Sequence, residues 1–361
     1  MSRSRDFSNA IEQPLTGEIK PFPGSTVGTG YLLCNGSVVS QATYSSLFAQ
    51  VGLYPDGGNF DGTWTAQTSG TLSNLLCVTY GGGLYIYGGV NGVLATSTNA
   101  VTWTARTSGA LGNNINGLTY ANGIYVYAGD TGVLATSTNA ITWTSRTSGT
   151  TSILTSVIYG NGIYVYAGRI GALATSTDAI TWTARTSGTI SNILSLIYAN
   201  SLYVYVGVGG VLATSTDAIT WTARTSGTTS NISDITYGNG LYVYAGNGGV
   251  LATSTNAITW TARTSGTVTT INAVSYANTK YVYAGSGGVL ATSTDAITWT
   301  ARTSSTISPI QRIAYGGGLS VYCSTGGVIG TATQFTYDAT TNFALPTTSA
   351  TLSGMALGIK T

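Results

Sequence analysis

Seven tryptophans set the frame for everything else in this chain. Trp64, Trp103, Trp143, Trp182, Trp221, Trp260 and Trp299 recur at intervals of 39 or 40 residues. Each sits in nearly the same text, of which Ala174-Thr-Ser-Thr-Asp-Ala-Ile-Thr-Trp-Thr-Ala-Arg-Thr-Ser-Gly188 is one copy. A repeat of this length cannot bury its apolar face alone, so neighbouring copies must stack as a solenoid or a ring. One copy contains four strand-like runs: a (Ile232 to Tyr237), b (Leu241 to Ala245), c (Val250 to Ser254) and d (Ile258 to Arg263). Each run is rich in β-branched and aromatic residues and is bounded by Gly, Asn or Ser. Four short strands per unit of this length predict a propeller blade.

The two ends of the array predict closure. The first piece is a lone strand d, Thr63 to Gln67; the last unit has only a, b and c, from Ile310 to Ala332. Six complete blades lie between them. The lone d complements the orphan abc, which predicts an all-β, seven-bladed propeller of four-stranded blades over residues 61–333, closed by strand exchange without a free sheet edge. Within Ile124-Tyr-Val-Tyr-Ala128, Ile124 and Val126 face one way and Tyr125 and Tyr127 the other. The tyrosines recur in this way at almost every blade, so they read as packing between blades in preference to a sugar-stacking stripe.

Composition narrows the function. The net charge of +2 argues against a general nucleic-acid surface. Histidine is absent from the sequence, which removes the commonest general base and metal ligand. Cys34, Cys77 and Cys323 lack metal-type spacing and read as buried free thiols. Gly81-Gly-Gly83 and Gly316-Gly-Gly318 are tight a–b turns with no helix behind them to hold a phosphate. Nothing calls for a cofactor or a metal. The N-terminus lacks the apolar segment of a signal peptide, and no run is long enough for a membrane helix, so synthesis and folding in a cytoplasm are expected.

Differences between the copies gather in three places. The b–c turn varies (Asn91, Asp130, Arg169 with Ile170, Val208, Asn247), as does the d–a connection. The third variable place is the slot three before the strand-a tyrosine, which holds Asp234 in one copy and Arg312 in another. In an up-and-down blade these all fall on one face or at the mouth of the central channel. Asn91, Asp130, Arg169, Ile170, Val208, Asp234, Asn247, Gln311 and Arg312 are therefore the candidate ligand-binding residues. The a–b and c–d turns are nearly uniform. Arg106, Arg146, Arg185, Arg224, Arg263 and Arg302, with Gln67 in the seventh slot, recur on the outermost strand and read as a solvated face.

Residues outside the repeat resemble a known family. Residues 1–16 read as an arm. Then come Gly17, Ile19, Phe22, Gly24, Gly30, Leu32, Cys34 and Gly36, followed by a helix-like run with Tyr44, Leu47 and Phe48. This pattern resembles the phage tail collar domain of short tail fibres, with Tyr31 where Trp is usual, Asn35 where Asp is usual and Gly28 where Pro is usual. The family's Phe-x-Leu-Pro segment appears only at Phe343-Ala-Leu-Pro346, and Gly358-Ile-Lys-Thr361 is similar to tail-fibre C-termini. The resemblance implies a small α+β domain, 17–60 plus 334–361, into which the propeller is inserted. It also implies a place in the virion tail, contacts with other tail or baseplate proteins, and a homotrimer, since collar-bearing fibres are often trimeric. The chain enters the array at strand d and leaves after strand c of the same blade, so the collar is expected at the uniform end, opposite the variable face.

The Ser-Thr-Asp-Ala-Ile-Thr-Trp text resembles the Asp-box turn of sialidase-like propellers, one residue shorter and with Ala for Gly. The acid is present at Asp178, Asp217 and Asp295 and replaced at Asn99, Asn139 and Asn256, which suits a turn lock better than a catalytic carboxylate. Three functions follow: an adhesin presenting the variable face to a host-surface glycan or outer-membrane receptor, a structural tail module without a ligand, or a sialidase-like enzyme. The enzyme is disfavoured because glycoside hydrolysis usually needs two converging carboxylates.

Overall fold

A computed structural model describes residues 64–277 and 279–332 in full, together with the backbone of Thr333 and of five strands in the flanking segments. The chain divides into two compact units, Asp61–Gln334 and Met1–Phe60 with Phe335–Thr361. In the second unit Ile19–Pro23 and Tyr31–Leu33 pair antiparallel with opposite edges of Met355–Lys360. Val38–Ser40 pairs with Asn342–Ala344. The two ends of the chain are thus hydrogen-bonded to each other. The expected helix around Tyr44 to Val51, the arm 1–16 and Cys34 lie outside the described residues.

The first unit is a ring of seven four-stranded antiparallel blades, with strand a next to the neighbouring strands a and strand d outermost. Blade 1 runs Leu75–Gly81, Leu84–Gly89, Leu94–Ser97 and Thr104–Ala105. Blades 2 to 6 repeat it, with strands a at Ile115–Ala121, Leu154–Gly160, Ile193–Ala199, Ile232–Gly238 and Ile271–Ala277. Blade 7 takes Ile310–Gly316, Leu319–Ser324 and Val328–Thr333 from the end of the array and Thr65–Thr68 from its beginning. The register runs from Val328 opposite Thr68 to Thr331 opposite Thr65. This is the strand exchange that the order of the end pieces implies.

Strand d is shorter than its sequence suggests. In blade 5 only Thr261–Ala262 is strand, not Ile258 to Arg263. The Asn256 side-chain oxygen accepts the backbone N–H of Ile258 at 2.9 Å and of Thr259 at 3.0 Å, which winds those residues into the c–d turn.

The core consists of seven clusters, each shared by two adjacent blades. Val204, Val206 and Leu212 of blade 4 meet Ile235, Tyr242 and Tyr244 of blade 5. The ring closes in the same way, with Val321, Cys323 and Ile329 of blade 7 against Leu75, Tyr85 and Tyr87 of blade 1. Strand b alternation is what permits this: valines face one neighbour and tyrosines the other.

The tyrosine hydroxyls do not go unpaired. The first tyrosine of strand b donates to the last carbonyl of strand a in the preceding blade, as Tyr125 does to Gly81 at 2.9 Å and Tyr203 to Gly160 at 2.6 Å. The second donates to a serine carbonyl of the incoming d–a link, as Tyr127 does to Ser108 and Tyr166 to Ser148, both at 2.6 Å. Each tyrosine therefore contributes apolar area and satisfies a backbone carbonyl of the preceding blade or of the link leaving it. Blade 7 departs from the pattern: Ser320 occupies the first tyrosine position, and its hydroxyl is buried without a partner.

Burial pushes the Tyr127, Tyr166 and Tyr205 phenols up to about 12. A raised folded value for an acid that must stay neutral contributes stability that is complete below the unfolded value near 10 and disappears as pH climbs through 12. Thermal unfolding followed by circular dichroism should show constant stability from pH 7 to 9 and a steep loss between about pH 10 and 12. A midpoint that stays flat through pH 12 would contradict this tyrosine network.

Candidate ligand-binding face

The b–c turn is a three-residue 3-10 turn in every blade, and its geometry dictates its residues. The third position is always glycine with positive φ. A Cβ on Gly132 would stand 1.8 Å from the Thr150 carbonyl oxygen, and one on Gly171 1.9 Å from that of Thr189. The middle position is also left-handed, which suits Gly209 and Gly248 but strains a β-branched residue. Thr131 (φ 53°) and Ile170 (φ 55°) nevertheless occupy it in blades 2 and 3. The Asn192 side-chain oxygen fixes the latter by accepting the Ile170 N–H at 3.0 Å. Strained β-branched residues on exposed turns are where a binding face keeps chemistry that packing alone would not select. Both turns begin with a charged residue, Asp130 and Arg169.

Strand a carries a β-bulge at its second residue in every blade. Ile232 pairs with Gly246 and Asp234 with Ala245, which leaves Ser233 as the extra residue. A bulge re-aims side chains next to it. The seven bulged residues, Leu76, Asn116, Thr155, Leu194, Ser233, Asn272 and Gln311, all line one cavity of about 360 Å³. Asp130, Arg169 and Arg312 line it as well. The b–c turns and strand-a starts thus meet at the mouth of the channel.

Hydrogen bonds hold much of this lining in place. Asn116 Nδ2 donates to Asp130 Oδ1 and to the Leu154 carbonyl, both at 2.9 Å. Thr155 Oγ1 donates to the Ile193 carbonyl at 2.7 Å, and Asn272 Nδ2 to the Ile310 carbonyl at 2.9 Å. Arg312 Nη1 donates to the carbonyls of Asn272 at 3.1 Å and Gln311 at 2.9 Å. Arg169 is exposed at the rim. The wall is pre-organised, with amide and hydroxyl groups of known orientation.

The structure regroups the candidates from the sequence. Asp130, Arg169, Gln311 and Arg312 line the cavity. Asn91, Ile170, Val208 and Asn247 lie on b–c turns of the same face but outside its lining. Asp234 does not face the channel. Its Oδ1 accepts the Ser195 hydroxyl at 2.7 Å and its Oδ2 accepts the Val274 N–H at 3.0 Å, so it ties three consecutive blades together. The bulge moves the channel-facing position back by one residue; at the next position the short Asp234 bonds the adjacent strands a, whereas the longer Arg312 in the same slot still reaches the lining. Asn116, Thr155 and Asn272 were missed for the same reason, although their column varies from blade to blade and is visible in the sequence.

The opposite face is a set of locked turns. Asp217 Oδ1 accepts the N–H groups of Ile219 and Thr220 at 2.8 Å, and Asn139 Oδ1 accepts those of Ile141 and Thr142 at 2.9 Å. Asn99, Asp178, Asn256 and Asp295 bond in the same way. The N–H donors of Thr220 and Ile219 and the Ser215 hydroxyl lower Asp217 to about 2. Amide and acid do the same work, so the charge is not what these turns require. Cys77 and Cys323 are buried and free, and burial raises both thiols.

Residues 17–65 match the Phage Tail Collar Domain family. The collar implies a component of a virion tail. No curated protein matches the sequence. Solved structures similar to this chain include a WD40 propeller. YCF48 from Cyanidioschyzon merolae is 19% identical over 75% of this chain and 99% of its own, with a TM-score of 0.63. YCF48 bound to a D1 peptide is 18% identical over 75% and 94%, with a TM-score of 0.64. The WD40 propeller domain of Doa1 is 10% identical over 75% and 97%, with a TM-score of 0.63. At these identities the likeness is one of fold.

Asp234→Ala strands the Ser195 hydroxyl and the Val274 N–H in a partly buried wall. It should cost about 1–3 kcal/mol. Asp217→Asn keeps its turn bonds and should leave stability near neutrality within about 0.5 kcal/mol while removing one source of acid sensitivity between pH 4 and 2. Urea unfolding of both variants at pH 7 checks the contrast, and equal losses would refute it.

Proposed function

We propose that this chain is a tail-fibre or tail-tip adhesin whose propeller binds a host-surface receptor with its b–c and d–a face. The observation that carries this is the convergence of seven bulged side chains, one from each blade, with Asp130, Arg169 and Arg312 around a single cavity. A purely structural ring has no need of five residue types among seven equivalent positions at one mouth. Amide and hydroxyl groups dominate the polar lining, which favours a glycan over an apolar ligand. Propellers of this fold take ligands at all: the similar YCF48 is described bound to a D1 peptide. The collar-like segments serve as the virion anchor to other tail proteins, and the molecule acts at the host surface.

Binding without turnover fits the cavity chemistry. Its one lining carboxylate, Asp130, already accepts the Asn116 amide. Glycoside hydrolysis usually needs a second acid across the bond.

Arg169→Ala combined with Asn116→Ala should lower adsorption of the protein to intact host cells by about tenfold or more, with folding retained. Asp178→Asn with Asp217→Asn, on the opposite face, should leave adsorption unchanged. If the second pair abolishes adsorption and the first does not, the receptor face has been assigned to the wrong side.

A further inference from the structure

The charges of the propeller are separated along its axis. The six strand-d arginines, Arg169 and Arg312 all lie toward the b–c and d–a end, against Asp130 and Asp234. The other end holds Lys280 against Asp178, Asp217 and Asp295. A chain of nearly neutral total charge therefore presents one strongly cationic face, and the field of such a face selects anionic partners.

The arginines there are not loosely solvated. Arg146 Nε donates to Thr136 Oγ1 at 2.8 Å, and Arg185 and Arg224 do the same to Thr175 and Thr214 at 2.9 Å. Anchoring through Nε fixes the guanidinium plane and leaves its terminal nitrogens for a bidentate contact. Each of these three arginines lines a groove at the outer rim, of about 690 Å³ in blade 2, 590 Å³ in blade 3 and 630 Å³ in blade 4. The other walls are the Thr-Ser-Gly-Thr link and the b–c turn glycine. At the tip stands Thr151, Ile190 or Thr229, of which Ile190 is 88% exposed. One guanidinium and several hydroxyls match the carboxylate or sulfate and the hydroxyls of an acidic sugar, and in blade 3 Ile190 adds an apolar tip for its C–H face.

We propose that the rim of this face binds an acidic polysaccharide, one charged residue of the polymer to each blade groove. The proposal deepens the receptor reading above and takes its choice of face from it. Shallow similar sites bind weakly one by one, and repetition around the ring converts them into avidity for a repeating ligand.

The propeller supplies its own conservative substitution. Gln67 holds the arginine slot in blade 7, and its Nε2 donates to Thr331 Oγ1 at 3.0 Å. Arg146→Gln, Arg185→Gln and Arg224→Gln together should therefore keep the anchoring bond and the melting temperature. Binding of the full-length protein would be measured against polygalacturonate, dextran sulfate, unmodified dextran and duplex DNA. The wild type should bind one or both acidic glycans, lose that binding between about 50 and 300 mM salt, and ignore dextran. The triple Gln variant should bind at least about tenfold more weakly. Equal binding to dextran, preference for DNA, or a triple variant that binds like wild type overturns the proposal. Host-cell adsorption separates the two levels. Wild-type adsorption that survives the triple substitution sinks the acidic-glycan rim alone, whereas a wild type that does not adsorb sinks the receptor reading itself.

Discussion

The interface between one blade and the next is what every other feature depends on. No blade has a core of its own; each apolar cluster is built from two. The two tyrosines of strand b do most to make that interface specific, because each buries a large ring and also carries a hydroxyl that must find a partner. The partners are backbone carbonyls of the preceding blade or of the link leaving it, so a slip in register leaves buried polar groups unpaired. Packing alone would tolerate such a slip; the hydroxyls do not.

Because the ring has no independent unit, its closure has to be as well made as the other joints. Thr65–Thr68 completes blade 7, and Trp64 packs on Tyr322 at 5.2 Å between ring centroids. The closing blade still bears the marks of its split origin. Its Trp64 Nε1 is buried without a partner, whereas Trp103 Nε1 donates to the Ala100 carbonyl at 3.1 Å. Its Ser320 replaces a tyrosine and leaves a buried hydroxyl alone. Trp299 Nε1 in the preceding blade is likewise buried without a partner, so these small costs fall in the last two blades of the ring.

A rigid ring also explains how function is distributed. The c–d turns are locked by Asn or Asp in the same geometry, so that end of the blades has little freedom to change. The b–c turns and the start of strand a vary more, and where Asn116, Thr155 and Asn272 line the channel mouth they also bond a carbonyl of the next blade. Asp234 goes furthest in this direction. It varies like a ligand contact, yet it is spent on Ser195 and Val274.

The repeat period, the four strands per unit and the split of blade 7 were all legible in the sequence, since each is a matter of spacing and strand propensity along the chain. So were the turn lock at Asp178 and Asp217, a local bond within four residues, and the collar pattern at Gly17 to Phe48. Which residues line the cavity was not. Variation between the repeats placed Asp234 at the channel mouth and passed over Asn116, Thr155 and Asn272. A bulge is a long-range event, fixed by how strand a pairs with strand b and docks on two neighbours. It shifts the facing position by one residue without leaving a signal in the local pattern. The cationic face was hidden in the same way. Six arginines at intervals of 39 or 40 residues gave only a stripe in the sequence, and the up-and-down path of the chain gathered them with Arg169 and Arg312 at one end of the ring.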